Sequence, residues 1–145
     1  MIAVDTNILV YAHREDSAFH HAALQRLIAL AEGPEAWAIL WPCLHEFLAI
    51  VTHPRIYVPP TPLDSALDQV DAWLQSPTVT LLGESTSHWP TLRTLLVSSQ
   101  VIGPRIHDAR VAALCKQHGI RQLWSADRDF GRFAGVPVIN PLFQP

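Results

Sequence analysis

The chain has little cysteine, a single lysine and no long apolar run. Its two cysteines, Cys43 and Cys115, lie far apart in apolar settings and form no CxxC pair. That argues against a disulfide framework or a thiolate zinc site and leaves two free core thiols. Neither HxxxH nor HExxH occurs among the eight histidines, which argues against a zinc hydrolase. No apolar stretch reaches the roughly 18 residues of a membrane span. The richest, AWAILWPCL, is broken at Pro42. The N-terminus lacks a basic n-region, and Asp5 stands where a signal peptide would be apolar, so no membrane association and a cytoplasmic location are expected. There are no repeats, low-complexity tracts or long linkers. VPPTP at 58–62 reads as a rigid connection between helices, so residues 1–145 are expected to form one domain.

What is present is an uneven charge distribution. The net charge of −3 at first argues against a nucleic-acid partner. Residues 1–100, however, carry ten Asp/Glu against four Lys/Arg, while residues 101–145 carry six Lys/Arg against three acids. The last third is therefore locally basic. Nine of the ten basic residues are arginine, the side chain suited to bidentate phosphate contact. Composition alone favours the plainer reading of solvated faces and ion pairs.

Strand and helix patterns alternate along the chain. IAVD, WAILW, VTLL (79–82), QLWS (122–125) and VPVIN (136–140) read as strands, the last an edge strand because Pro137 cannot donate a ladder bond. Between them, Asp16 or Ser17 caps a helix running to Glu32 with Gly33 as its stop. Pro42 starts a helix reaching Thr52. Thr61 caps another, with Leu63, Ala66, Leu67, Val70 and Trp73/Leu74 on one face. Helices follow at 87–98 and from Ile106 to Gly119. Alternation of this kind predicts an α/β fold, a mostly parallel sheet of about five strands covered by helices on both faces.

In such sheets ligands bind beyond the carboxyl ends of the strands. Asp5 ends the first strand, Asp127 follows QLWSA, and Asp108 opens a helix after an apolar Gly-Pro connection. Carboxylates gathered at one edge repel one another unless a cation neutralises them. Oxygen donors without Cys/His spacing favour Mg²⁺ or Mn²⁺, and such a site suggests metal-assisted phosphoryl chemistry. Each acid also has a plainer role: Asp5-Thr6-Asn7 as a turn and helix cap, Asp108 as a helix-dipole partner, and Asp127 and Asp129 in an Asp-rich turn. Glu46 sits opposite the Leu44/Phe47/Leu48/Val51 face, so periodicity reads it as solvated.

Four segments taken together, DTNILVYA (5–12), HEFLAIVTHPRIY (45–57), HDARVAALCKQHG (107–119) and WSADRDFGRF (124–133), resemble PIN-domain ribonucleases, with a closing NPL at 140–142. They are most similar to the VapC toxins of toxin–antitoxin modules. The resemblance implies a Rossmann-like sheet and an Mg²⁺ or Mn²⁺ site built by Asp5, Glu46, Asp108 and Asp127. Thr6, Asn7, Ser125 and Asp129 would support those acids. It reverses the periodicity reading of Glu46, since a helix face turned from the core can face a groove. Setting the four ligand acids aside leaves nine acids against ten bases, a surface that accepts RNA, with Arg105, Arg110 and Arg128 as candidate phosphate contacts. The implied activity is endonucleolytic RNA hydrolysis, with Asp108 or Glu46 as candidate general base. The implied partners are a VapB-type antitoxin and a second copy of the chain, for which Trp73, Trp89 and the apolar residues of 62–98 are candidate surfaces.

Two other classes compete. A PIN-like binding or assembly module would keep the fold without the nuclease activity, and metal binding discriminates it. An aspartyl-phosphate enzyme would need a second Asp two residues after the first, where this chain has Asn7.

Overall fold

Ile2–Val4 (β1) is buried on both faces and accordingly takes the middle of a sheet. A computed structural model describes residues 1–143. It places β1 between Trp37–Leu40 (β2) and Gln122–Trp124 (β4), with Val79–Leu82 (β3) and Val138–Ile139 (β5) at the edges. All pairings are parallel, in the order β3-β2-β1-β4-β5. β5 is the expected edge strand, and the Pro137 carbonyl accepts from the Leu123 amide at 2.8 Å.

Side chains alternate across the sheet. Ile2, Val4, Trp37, Ile39 and Trp124 join one core with helices Thr6–His13 (α1), His20–Glu32 (α2), Trp41–Val51 (α3) and Leu63–Leu74 (α4). Ala3, Ala38, Leu40 and Leu123 join the other, with His88–Ser99 (α5) and Ile106–Gln117 (α6). The small residues Ala3, Ala38, Ala109, Ala112 and Ala113 are all buried in this second core. Among the described residues no helix is long and apolar enough to cross a membrane.

Several elements differ from the sequence pattern. Ile8-Leu9-Val10 lies in the middle of α1, a helix that periodicity misses because Ile8, Leu9, Val10 and Ala12 are all buried and no polar stripe is left. α2 begins at His20 rather than Ser17, since Asp16 pairs with Arg14 at 2.7 Å and the Ser17 hydroxyl accepts from the Phe19 amide in the turn before it. Gly33 does stop α2, by close approach: a Cβ there would stand 2.7 Å from the Ala29 carbonyl oxygen. Thr61 does not cap α4; its hydroxyl meets His13 and Arg14 instead. Only Ala66, Val70 and Trp73 of that helix are buried, leaving Leu63, Leu67 and Leu74 exposed. Trp73 packs on Phe47 with ring centroids 4.8 Å apart, so it belongs to the core rather than to a docking surface. Trp89 remains exposed.

Because every strand points the same way, Asp5, Trp41, Gly83 and Ser125 all emerge at one edge of the sheet. Val4 pairs with Ile39 and with Trp124, which puts Asp5 level with Leu40 and Ser125.

Candidate active site

Asp5 is the first residue after β1 and the N-cap of α1. Its backbone amide continues the ladder to the Trp124 carbonyl at 2.9 Å, so the side chain is fixed at the sheet edge. Oδ1 accepts from the Thr6 amide at 2.8 Å and from the Cys43 thiol at 3.5 Å. Oδ2 accepts from the Ser125 hydroxyl at 2.7 Å and from Asn7 Nδ2 at 3.3 Å. The plain reading of Asp5 as a cap and the functional one therefore hold together. The carboxylate is buried, and burial pushes its pKa above the ordinary value. The hydrogen bonds from Ser125, Thr6 and Cys43 pull it back, and the charge of Asp127 pushes it up again.

Ser125 joins this acid to the next. Its hydroxyl also accepts from Asn7 Nδ2 at 3.2 Å and from the Asp127 amide at 3.0 Å. Asn7 Oδ1 accepts from the Ala126 amide at 3.1 Å, tying α1 to the β4 end. Asp127 in turn caps the short helical turn Arg128–Arg132 by accepting from the Asp129 amide at 2.8 Å. The Thr6 hydroxyl donates to the Cys43 carbonyl at 3.5 Å.

Glu46 and Asp108 complete the group from two helices. Glu46 keeps part of its surface in solvent; the walls of a cleft between α3 and α6 desolvate the rest. Its pKa is raised by that desolvation, then by the charges of Asp5 and Asp108, with His107 opposing. Asp108 is raised by burial and by Asp127, while Arg105 lowers it. The four carboxylates thus form a closed circuit of repulsion: Asp5 with Asp127, Asp127 with Asp108, Asp108 with Glu46, and Glu46 with Asp5. All are hard oxygen donors, which suits Mg²⁺ or Mn²⁺ rather than a thiophilic ion. Among the described residues, no three His, Cys, Asp or Glu side chains are already arranged as a metal cage.

The arginines divide. Arg105 lies against the acids, 2.7 Å from Asp129 and 3.9 Å from Asp108. Arg110 is paired with Glu84. Arg128 is exposed and lines a cleft of about 400 Å³ with Ser125, Asp127 and Asn140. The sequence pattern reads Cys43 as a core thiol only. It is buried, and its contact with Asp5 depends on the register of β1 against β2, which no local pattern displays. The partnership of Glu84 with Arg110 was likewise invisible in the sequence, because the two lie on different elements.

The PIN domain family model matches residues 2–136. Ribonuclease VapC48 of Mycobacterium tuberculosis is 32% identical over 138 residues, 95% of either chain. Ribonuclease VapC43 of the same organism is 35% identical over 142 residues, covering 98% of this chain and 96% of its own. Among solved structures, VapBC2 from Rickettsia felis, bound to a DNA fragment from its promoter, superposes with a TM-score of 0.71 at 19% identity, covering 96% of this chain and 98% of its own. The chain belongs to the PIN domain family, with VapC ribonucleases as its relatives over nearly its whole length.

Proposed function

We propose that the chain is an Mg²⁺- or Mn²⁺-dependent endoribonuclease and the toxin of a VapBC-type pair. The observation that carries this reading is the circuit of four carboxylates, drawn from four separate segments to the edge where all strands end. Asp5, Glu46, Asp108 and Asp127 would hold the cation. Bound there, it supplies a lowered pKa for water and a counter-charge for the phosphate. The protein's own groups do the rest. Ser125, Asn7 and the Thr6 amide hold Asp5 in one orientation. Glu46 and Asp108, which reach the sheet edge from helices α3 and α6, are the candidates to take a proton from the attacking water. Asp129 keeps Arg105 beside the acids, and Arg128 offers an exposed guanidinium to a phosphate of the strand. Its relatives carry the name ribonuclease, and the Rickettsia felis neighbour was solved as a VapBC assembly, which supports RNA as substrate and a VapB-type antitoxin as partner. Trp89 and the exposed leucines of α4 offer apolar surface for that antitoxin or for a second copy in a homodimer.

The test is RNA cleavage by antitoxin-free protein in Mg²⁺, in Mn²⁺ and in EDTA, beside Glu46→Gln and Asp108→Asn. Cutting is expected only with the divalent ions and is expected to fall about 100-fold or more in either variant. Both variants should melt cooperatively, which separates lost chemistry from lost fold. Cutting that survives EDTA or both substitutions sinks the reading, and an intact protein that binds neither ion favours an assembly module.

A further inference from the structure

β2 and β3 set up a feature that the carboxylate site does not use. Leu40 and Leu82 are ladder partners, so the residues that follow, Trp41 and Gly83, lie side by side at the carboxyl edge of the sheet. The missing Cβ of Gly83 is what makes room for the indole. A methyl group there would stand 3.0 Å from Trp41 Cδ1. The indole is therefore propped on backbone on one side, while 41% of the residue remains exposed. One helical turn later the His45 ring lies 5.9 Å away by centroids, tilted by 40°. His45 is exposed as well, and the next residue is Glu46.

His45 lines the cleft between α3 and α6, and Trp41 stands one helical turn before it, next to Pro42 of the same lining. That cleft measures about 340 Å³ and is lined by Pro42, His45, Glu46, His107 and Arg110 among others. Its single acid is Glu46, one of the four carboxylates. Its other polar groups are two imidazoles and a guanidinium, all able to donate hydrogen bonds. The size suits a small planar group better than a folded peptide. An indole packed on Gly83 and on the His45 ring yet 41% exposed leaves part of its face uncovered among the described residues, and the His45 ring is one residue from a carboxylate of the site. Such a surface is well explained by a flat ligand. Single-stranded RNA carries such a group at every phosphate, and unpaired bases stack on Trp and His faces.

We propose that Trp41, together with His45, is the stacking platform for an unpaired RNA base beside the scissile phosphate, with that nucleotide seated in the α3–α6 cleft. The inference rests on the ribonuclease reading and deepens it: the substrate region is single-stranded at the cleavage point, and one flanking base is held by its face.

The test is fluorescence anisotropy with two labelled probes about 12 nucleotides long, an oligouridylate and an abasic ribose–phosphate strand of the same length and charge. Asp108→Asn serves as the parent in Mg²⁺, because on the proposed mechanism it leaves the RNA uncut. The parent should prefer the base-bearing probe about tenfold or more. Adding Trp41→Ala should remove that preference while leaving affinity for the abasic probe unchanged, and Trp41→Phe should restore most of it. A thermal melt of each variant confirms the fold. Equal affinity of the parent for both probes, or a preference that survives Trp41→Ala, overturns the platform. Cleavage by the unsubstituted protein is scored separately, so the nuclease reading can stand when the platform falls.

Discussion

Asp5 shows how one side chain is held in an unfavourable state. Four donors converge on its two oxygens, yet burial outweighs them and raises its pKa. The sign of the consequence follows from linkage. A folded-state pKa above the unfolded value means that the native protein binds this proton more readily. Stability from this group is therefore fully present below the ordinary aspartate range, about 3.9, and is lost as pH rises through the raised native value. Asp5→Asn removes the titration and keeps an oxygen acceptor. In urea titrations of metal-free protein, the stability of the variant relative to the parent should increase as pH rises from 4 upward, then level off. A difference that is flat with pH, or that narrows, contradicts the burial argument. This residue was legible in the sequence as a carboxylate at a strand end, although the same position also suits a helix cap, and it is both. Its hydroxyl partner Ser125 was reachable only through the resemblance, since it lies 120 residues away and meets Asp5 through strand register.

At the scale of the element, α3 carries its packing residues and the Glu46 carboxylate on opposite faces. Leu44, Phe47 and Val51 are buried, and Phe47 makes edge contacts with Trp73 and with His13 at centroid distances of 4.8 and 5.4 Å. Glu46, one residue earlier, faces the α3–α6 cleft and is repelled by Asp5 and Asp108. Two neighbouring substitutions should therefore behave oppositely. Phe47→Ala should cost about 3–5 kcal/mol by opening a cavity. Glu46→Ala should leave the urea midpoint of metal-free protein unchanged or higher while abolishing cleavage. Equal destabilisation by both would mean that Glu46 is a structural residue. The same helix shows what periodicity conveys. Its apolar stripe is readable, but the polar face carries no mark that distinguishes a groove from bulk water. α1 is the converse case, buried so completely that Ile8-Leu9-Val10 loses the 3.6-residue signature and looks like more strand. α4 over-reads in the other direction: Leu63 and Leu67 fit the helical face, but the helix packs only along Ala66, Val70 and Trp73. The parallel sheet was legible because its strands are short apolar runs separated by helix-length segments; the pairing of Arg110 with Glu84 was not, because local sequence does not encode tertiary neighbours.

Over the whole molecule the acids at the sheet edge act as one charge body. The chain as a whole is only mildly acidic, yet Asp5, Glu46, Asp108 and Asp127 gather four of its thirteen acids in one place, and burial first, then mutual repulsion, raises the pKa values of Asp5, Glu46 and Asp108. Arg105 offsets part of this through Asp129 and Asp108. A divalent cation held by the four would bind the folded chain and not the unfolded one, in which these segments are far apart. Such binding stabilises the fold by RT ln(1 + [L]/Kd), about 2.7 kcal/mol at a concentration of 100 Kd. For a chain of this length that corresponds to a rise in Tm of about 5–10 °C. Screening by salt is a different effect: it depends on ionic strength, not on the identity of the cation. A melt in MgCl₂ beside one in NaCl of equal ionic strength separates the two. The Mg²⁺ shift should exceed the Na⁺ shift and saturate. In Glu46→Gln the metal-free Tm should begin higher, because one repelling charge is gone, and the Mg²⁺ shift should shrink, because one donor is gone. Opposite movements of baseline and shift in a single variant are hard to obtain from a surface effect. Identical curves in the two salts would leave the acids as a repulsive cluster without a cation and would remove the physical ground for metal-assisted cleavage.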